Sequence, residues 1–186
     1  MAFLELEFSI LYFLQELHTP FLDRFMTAVT SLGDKGWFFI VLGVVLFCIR
    51  KTRKVGVAVL LSLAAGALIG NVFIKNIVMR DRPCWIDESV QLLIHNPKDF
   101  SFPSGHTLAS FEAAASVFFY NRKWGIPLLI LASLIALSRL YLFVHFPTDV
   151  LSGMALGIFI AWYVHRTIEK YDLNDILRLS KNKNAE

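Results

Sequence analysis

The sequence predicts an all-α fold: a polytopic membrane helix bundle of about six transmembrane helices with an N-terminal amphipathic helix. Three observations predict it. Of the 186 residues 56% are hydrophobic and mean hydropathy is +0.57, more apolar surface than a core of this size hides from water. The apolar residues fall in runs near membrane length, separated by short polar turns. Many of the aromatics, 17 phenylalanines among them, lie towards the ends of those runs, where membrane interfaces collect them. A single transmembrane domain over 1–168 and a short charged tail over 169–186 are expected.

Residues 3–17 set Phe3, Leu6, Ile10, Phe13 and Leu17 on one helical face, with Glu5, Glu7 and Glu16 off it. That is an amphipathic helix, lying at the interface or packed on the bundle. Pro20 ends it, and a second apolar piece over 20–32 carries Asp23 and Arg24 near its start. Gly33-Asp34-Lys35-Gly36 reads as a turn. Residues 37–49 are apolar but short for a crossing, whereas 55–79 is long enough at ~1.5 Å rise per residue. A polar loop follows over 80–103. Residues 104–120 are helical in pattern, 124–144 apolar until Arg139, and 148–164 apolar up to the charged tail. Gly66/Gly70 and Gly153/Gly157 have the spacing of close helix packing inside a bundle.

Arg50, Lys51, Arg53 and Lys54 crowd one short loop, Arg122 and Lys123 mark another, and the tail adds Arg166, Lys170, Arg178, Lys181 and Lys183. With alternating helices all three places share one side, which the positive-inside rule makes cytoplasmic, the C-terminus included. The loop 80–103 and the corner 145–149 then face the extracytoplasmic side. The compact chain points to a bacterial cell membrane. A net charge of +3 without a basic stripe excludes nucleic acid as a partner, and no cleavable signal is expected. Cys48 and Cys84 fall on opposite sides and cannot pair, and no Cys/His cluster suggests a metal site.

An ionisable residue inside a span costs ~2.5–3.5 kcal/mol, so each needs a reason. On the alternating topology, Lys75, Arg82, the Ser104-Gly105-His106 helix start, Arg139, His145 and Asp149 all fall at the outer ends of their segments. His18, His95 and His165 are read as structural. Lys75, Arg82 and Arg139 have no carboxylate partners nearby in sequence. The N–H groups of Gly105 and His106 at a helix start suit an anion, and arginines fork onto phosphate oxygens. A phosphoryl group is the ligand these residues predict. Pro147 suits the first turn of a helix, so Asp149 folds back towards His145, fixing one ring nitrogen and freeing the other to attack. His106, at the cradle, is the candidate general acid, although spacing alone does not divide the work between the two histidines.

Lys75-(six residues)-Arg82-Pro83, Pro103-Ser104-Gly105-His106 and Ser138-Arg139-(five residues)-His145-(three residues)-Asp149 resemble, in order and spacing, the three-part signature of the type 2 phosphatidic acid phosphatase (PAP2) superfamily. The resemblance covers about residues 70–165. It implies a membrane helix bundle that removes phosphate from lipid phosphates and diphosphates without a metal or other cofactor. It further implies attack by His145 to give a phosphohistidine, support from Asp149, protonation of the leaving oxygen by His106, and oxygen binding by Lys75, Arg82, Ser104, Gly105 and Arg139. A site facing outwards favours undecaprenyl diphosphate as substrate, with phosphatidylglycerol phosphate and phosphatidic acid as alternatives. The competing class is a lipid-phosphate binder or transporter. The sequence carries neither the internal repeats nor the broken midplane helices of a transporter. It leaves the oligomeric state open.

A diphosphate leaves as a weaker base than an alkoxide and needs less help from an acid. His106→Ala is therefore expected to slow hydrolysis of lipid monophosphates more than of lipid diphosphates. Equal losses in steady-state phosphate release from both would refute that role.

Overall fold

The structure is a computed structural model that describes residues 2–171. Among the described residues the secondary structure is helical. The helices are α1 (Ala2–Glu16), α2 (Pro20–Ser31), α3 (Trp37–Cys48), α4 (Arg53–Gly66), α5 (Lys75–Val78), α6 (Pro83–Ile86), α7 (Gly105–Tyr120), α8 (Arg122–Tyr141) and α9 (Pro147–Lys170). A 3-10 turn, Asp34–Gly36, joins α2 to α3, and a π-helical stretch, Ala67–Ile74, joins α4 to α5. All but the first residues of the expected charged tail lie outside the described residues.

Among the described residues, three helical segments are long and apolar enough to cross a membrane: Arg53–Ile86, Arg122–Tyr141 and Pro147–Lys170. The pair Pro20–Ser31 and Asp34–Cys48, bent by 41°, makes a fourth if counted as one span. The expected count of about six is thus larger than length and composition support. The 16 residues of α7 rise only ~24 Å, less than a ~30 Å hydrocarbon core.

The centre of the bundle is α7, which α4, α8 and α9 surround. Small residues allow this, with Ala113, Ala114 and Ala115 all buried. A Cβ on Gly153 would meet the Ser104 carbonyl oxygen at 2.8 Å, and one on Gly157 the Leu108 carbonyl oxygen at 2.8 Å. Gly66 and Gly70 face the Glu112 and Leu108 side chains in the same way. Both glycine pairs therefore serve close packing on α7. Ser62 and Ser116 complete the α4–α7 contact with a buried hydrogen bond of 3.1 Å.

The N-terminal helix docks differently from its apolar pattern. Phe3, Leu6 and Phe13 are 62%, 57% and 58% exposed, whereas Leu11 and Glu7 are buried. Leu11 and Phe8 pack on the 141–146 corner, and Phe8 meets the Phe146 ring edge-on at 5.3 Å. The glutamate that reads as solvent-facing turns inwards because it has an ion-pair partner there, Arg80.

Candidate active site

A cavity of about 1070 Å3 opens among α2, α4, α5, α7 and the 80–103 loop. Lys75, Arg82, Gly105, His106, Arg139 and His145 line it. Ser104 and Asp149, the other expected site residues, stand behind its wall with no exposed surface. The Ser104 N–H donates to the Asp149 carbonyl (3.1 Å), and its hydroxyl accepts from the Thr107 hydroxyl (3.0 Å).

Local backbone geometry delivers His145. After α8 the chain reverses through Phe143, at φ +58, a conformation that a non-glycine residue adopts only when its surroundings enforce it. Phe146 is extended, as a residue before proline must be, and Pro147 opens α9. The Asp149 carboxylate then caps that helix, accepting the Phe146 N–H at 2.8 Å.

Asp149 does not contact the histidine as directly as its spacing suggests. His145 Nδ1 lies 3.6 Å from Asp149 Oδ2, beyond hydrogen-bond range. Ser101 fills the gap, its hydroxyl 3.3 Å from Nδ1 and donating to Oδ2 at 2.5 Å. On the other side of the ring, Arg82 Nη1 is 3.1 Å from Nε2. A guanidinium only donates, so Nε2 accepts and the ring proton sits on Nδ1, facing Ser101. Burial, reinforced by Arg82, Arg139 and Lys75, holds the His145 pKa well below the usual histidine range. The result is a neutral imidazole with a lone pair on Nε2 at the cavity wall, the state a nucleophile requires.

The second Asp149 oxygen accepts from Arg80 Nη1 at 2.7 Å. Arg80 also donates to the Thr148 hydroxyl (2.7 Å) and to Glu7 (2.5 Å), and lies over the Phe146 ring at 4.1 Å. Glu7 in turn accepts from the Thr148 hydroxyl and N–H. This chain of groups holds α1 against the 145–149 corner.

Two of the three cations without a carboxylate partner nearby in sequence find one in the fold. Asp99 accepts from Lys75 Nζ at 2.5 Å and from Arg82 Nη2 at 2.9 Å. Partial burial would raise the Asp99 pKa, but the Lys75 hydrogen bond and charge and the Arg82 charge outweigh it and hold it at about 2. Asp99 is half exposed at the mouth of the cavity and sits where an anionic ligand would compete for the same donors. Among the described residues Arg139 makes no carboxylate contact: its Nη1 donates to the Thr30 hydroxyl at 2.7 Å, and its buried Nε has no hydrogen-bond partner. His106 Nε2 lies 2.9 Å from Asp34 Oδ1, which reaches over from the α2–α3 turn.

Sequence reasoning missed Arg80, Ser101, Asp99, Asp34 and Glu7. Arg80 was legible, lying between Lys75 and Arg82 in one charged stretch. Ser101 and Asp99 sit in a loop with no periodicity, and only folding brings Asp34 and Glu7 near the site.

These features form a membrane helix bundle whose buried cations, helix start and histidine converge on one cavity. The chain belongs to the PAP2 superfamily, whose family model matches residues 55–172. It is 31% identical to the undecaprenyl-diphosphatase BcrC of Bacillus subtilis over 87% of this chain and 79% of that protein. It is 32% identical to phosphatidylglycerophosphatase B of the same organism, over 83% of this chain and 79% of the relative. The crystal structure of the transmembrane PAP2-type phosphatidylglycerolphosphate phosphatase from Bacillus subtilis superposes with a TM-score of 0.76 at 28% identity, covering 92% of this chain and 89% of that one. The protein is a membrane-bound lipid phosphatase of the PAP2 type.

Ser101→Ala breaks the link between Asp149 and the imidazole while leaving the cavity lining intact. The expected outcome is a loss of about ten- to hundredfold in single-turnover phosphate release with little change in melting temperature. An unchanged rate would mean that the ring is oriented without Ser101.

Proposed function

We propose that the protein hydrolyses the terminal phosphate of undecaprenyl diphosphate through a phosphohistidine on His145, without a metal. The observation that carries the reading is the neutral His145, its Nε2 lone pair beside Arg82 and its Nδ1 proton facing Ser101 and Asp149. Nε2 attacks phosphorus and the bond to the leaving oxygen breaks, with His106 supplying the proton. Water then attacks phosphorus, the N–P bond breaks, and His106 takes up a proton from that water. Asp34 steadies the His106 ring. Lys75, Arg82, Arg139 and the N–H groups at the start of α7 hold the phosphoryl oxygens, where charge spreads in the transition state. Ser104 and Gly105 set that helix start in place, and Gly105 lets the anion approach the backbone. Asp99 is displaced from Lys75 and Arg82 as the phosphate enters.

Substrate choice rests on likeness to the undecaprenyl-diphosphatase of Bacillus subtilis. Likeness to the phosphatidylglycerophosphatase sequence and crystal structure favours a second reading, hydrolysis of phosphatidylglycerol phosphate. The purified protein in detergent with chelator present, offered each lipid separately, is expected to release phosphate mainly from undecaprenyl diphosphate. His145→Ala is expected to release none. Release mainly from the glycerolipid would select the second reading. Release that survives in His145→Ala would overturn the mechanism.

The basic residues near Arg50 and Arg122 lie at the helix ends opposite the site, which supports a site on the extracytoplasmic face and a cytoplasmic C-terminus. In a variant with Cys48 and Cys84 replaced, Ser89→Cys in intact cells is expected to react with a membrane-impermeant maleimide, and Lys51→Cys only after lysis. The reverse pattern would invert the topology.

A further inference from the structure

Glu112 is the buried ionisable residue that the proposed chemistry leaves unused. It sits mid-way along α7, 1% exposed, in a protein where an acid inside the membrane calls for a partner. Its Oε1 has no hydrogen-bond partner among the described residues. Gly66 of α4 makes the room for it, since a Cβ there would collide with the carboxyl group. Glu112 also lines the same cavity as Arg82, Arg139 and His145, together with Ile40, Leu63, Ala67 and Leu108.

The cavity therefore has two chemistries. Its mouth is cationic and suits phosphate. Its floor is apolar and carries one carboxyl group, ~9 Å further along α7 than His106 at the helical rise per residue. A volume of about 1070 Å3 is larger than a phosphate or diphosphate fills, which leaves room on the floor for part of the lipid. With the phosphate at the mouth, the next atoms of the lipid descend beside α7. A prenyl chain brings no oxygen to that depth. A glycerolipid brings its ester carbonyls, one glycerol backbone beyond the phosphate. As the neutral acid, a glutamate side chain donates one O–H hydrogen bond, and an ester carbonyl accepts one.

We propose that the floor of the cavity is a subsite for the ester region of glycerolipid phosphates, with Glu112 hydrogen-bonded to an ester carbonyl. Glu112 is then a specificity-determining residue that favours lipids carrying an uncharged oxygen next to the phosphate-bearing carbon skeleton. This rests on the reading of the mouth as the phosphate site and on the second substrate reading, a glycerolipid phosphate.

The test compares dioleoyl phosphatidic acid with its dialkyl ether analogue, which has the same phosphate and chains but lacks the carbonyl oxygens. Full-length wild type, Glu112→Leu and Glu112→Gln are assayed in detergent. Wild type is expected to prefer the ester in kcat/KM by about five- to tenfold, the size of one hydrogen bond. Glu112→Gln, which keeps a donor, retains most of that preference, and Glu112→Leu brings the ratio to about one. Each ratio is internal to one variant, so loss of folded protein does not mimic the result. The proposal is overturned if wild type does not distinguish the two lipids, if Glu112→Leu keeps the ratio, or if wild type hydrolyses neither lipid. Undecaprenyl diphosphate run alongside separates the failures. Its hydrolysis without an ester preference sinks the subsite alone. An ester preference without its hydrolysis sinks the prenyl-diphosphate reading and upholds the subsite. Release from no lipid sinks both.

Discussion

One buried carboxylate organises the site. Asp149 has no exposed surface, and its groups are shared among the parts of the chain that must meet. Oδ2 accepts the Phe146 N–H and the Ser101 hydroxyl, Oδ1 accepts from Arg80, and its backbone carbonyl accepts the Ser104 N–H. A buried charge left without such partners costs about 3–5 kcal/mol. The requirement to satisfy it fixes the start of α9, the position of the 80–103 loop and the approach of α7 at once. His145 is then held between Arg82 and Ser101.

The same logic explains why α1 belongs to the site. Arg80 satisfies Asp149, and a guanidinium in that position needs a further acceptor, which Glu7 supplies. A helix with an apolar face towards its surroundings thus docks through its one inward carboxylate. The Glu7–Arg80 ion pair acts together with the packing of Leu11 and Phe8 to turn that face inwards. The cations of the cavity obey the rule in a weaker form. Lys75 and Arg82 are matched by a half-exposed carboxylate, while Arg139 keeps an Nε without a hydrogen-bond partner among the described residues.

Packing sets the other constraint. α7 is short and rich in small residues, and the glycines of α4 and α9 let both neighbours close on it. The π-helical stretch of 67–74 directly precedes Lys75, so the helix that carries the cation changes its winding beside the cavity. Such departures from α geometry recur at functional sites.

The sequence by itself determined that the chain is a membrane helix bundle, because apolar runs of near-membrane length have no other stable arrangement in lipid. It also singled out residues that line one cavity, Lys75, Arg82, Gly105, His106, Arg139 and His145, because ionisable groups at segment ends are too costly to be incidental. It made the corner from His145 to Asp149 legible, since proline and a helix-capping acid act within a single turn. Tertiary structure alone decided the partners: Asp34 for His106, Asp99 for Lys75 and Arg82, Glu7 for Arg80, and Ser101 between His145 and Asp149. It likewise decided that Glu112 meets the cavity rather than a lipid-facing surface. The physical reason is that local spacing fixes only which face and which end of a helix a residue occupies, whereas a buried polar group takes its partner from whatever distant segment the packing brings within about 3 Å.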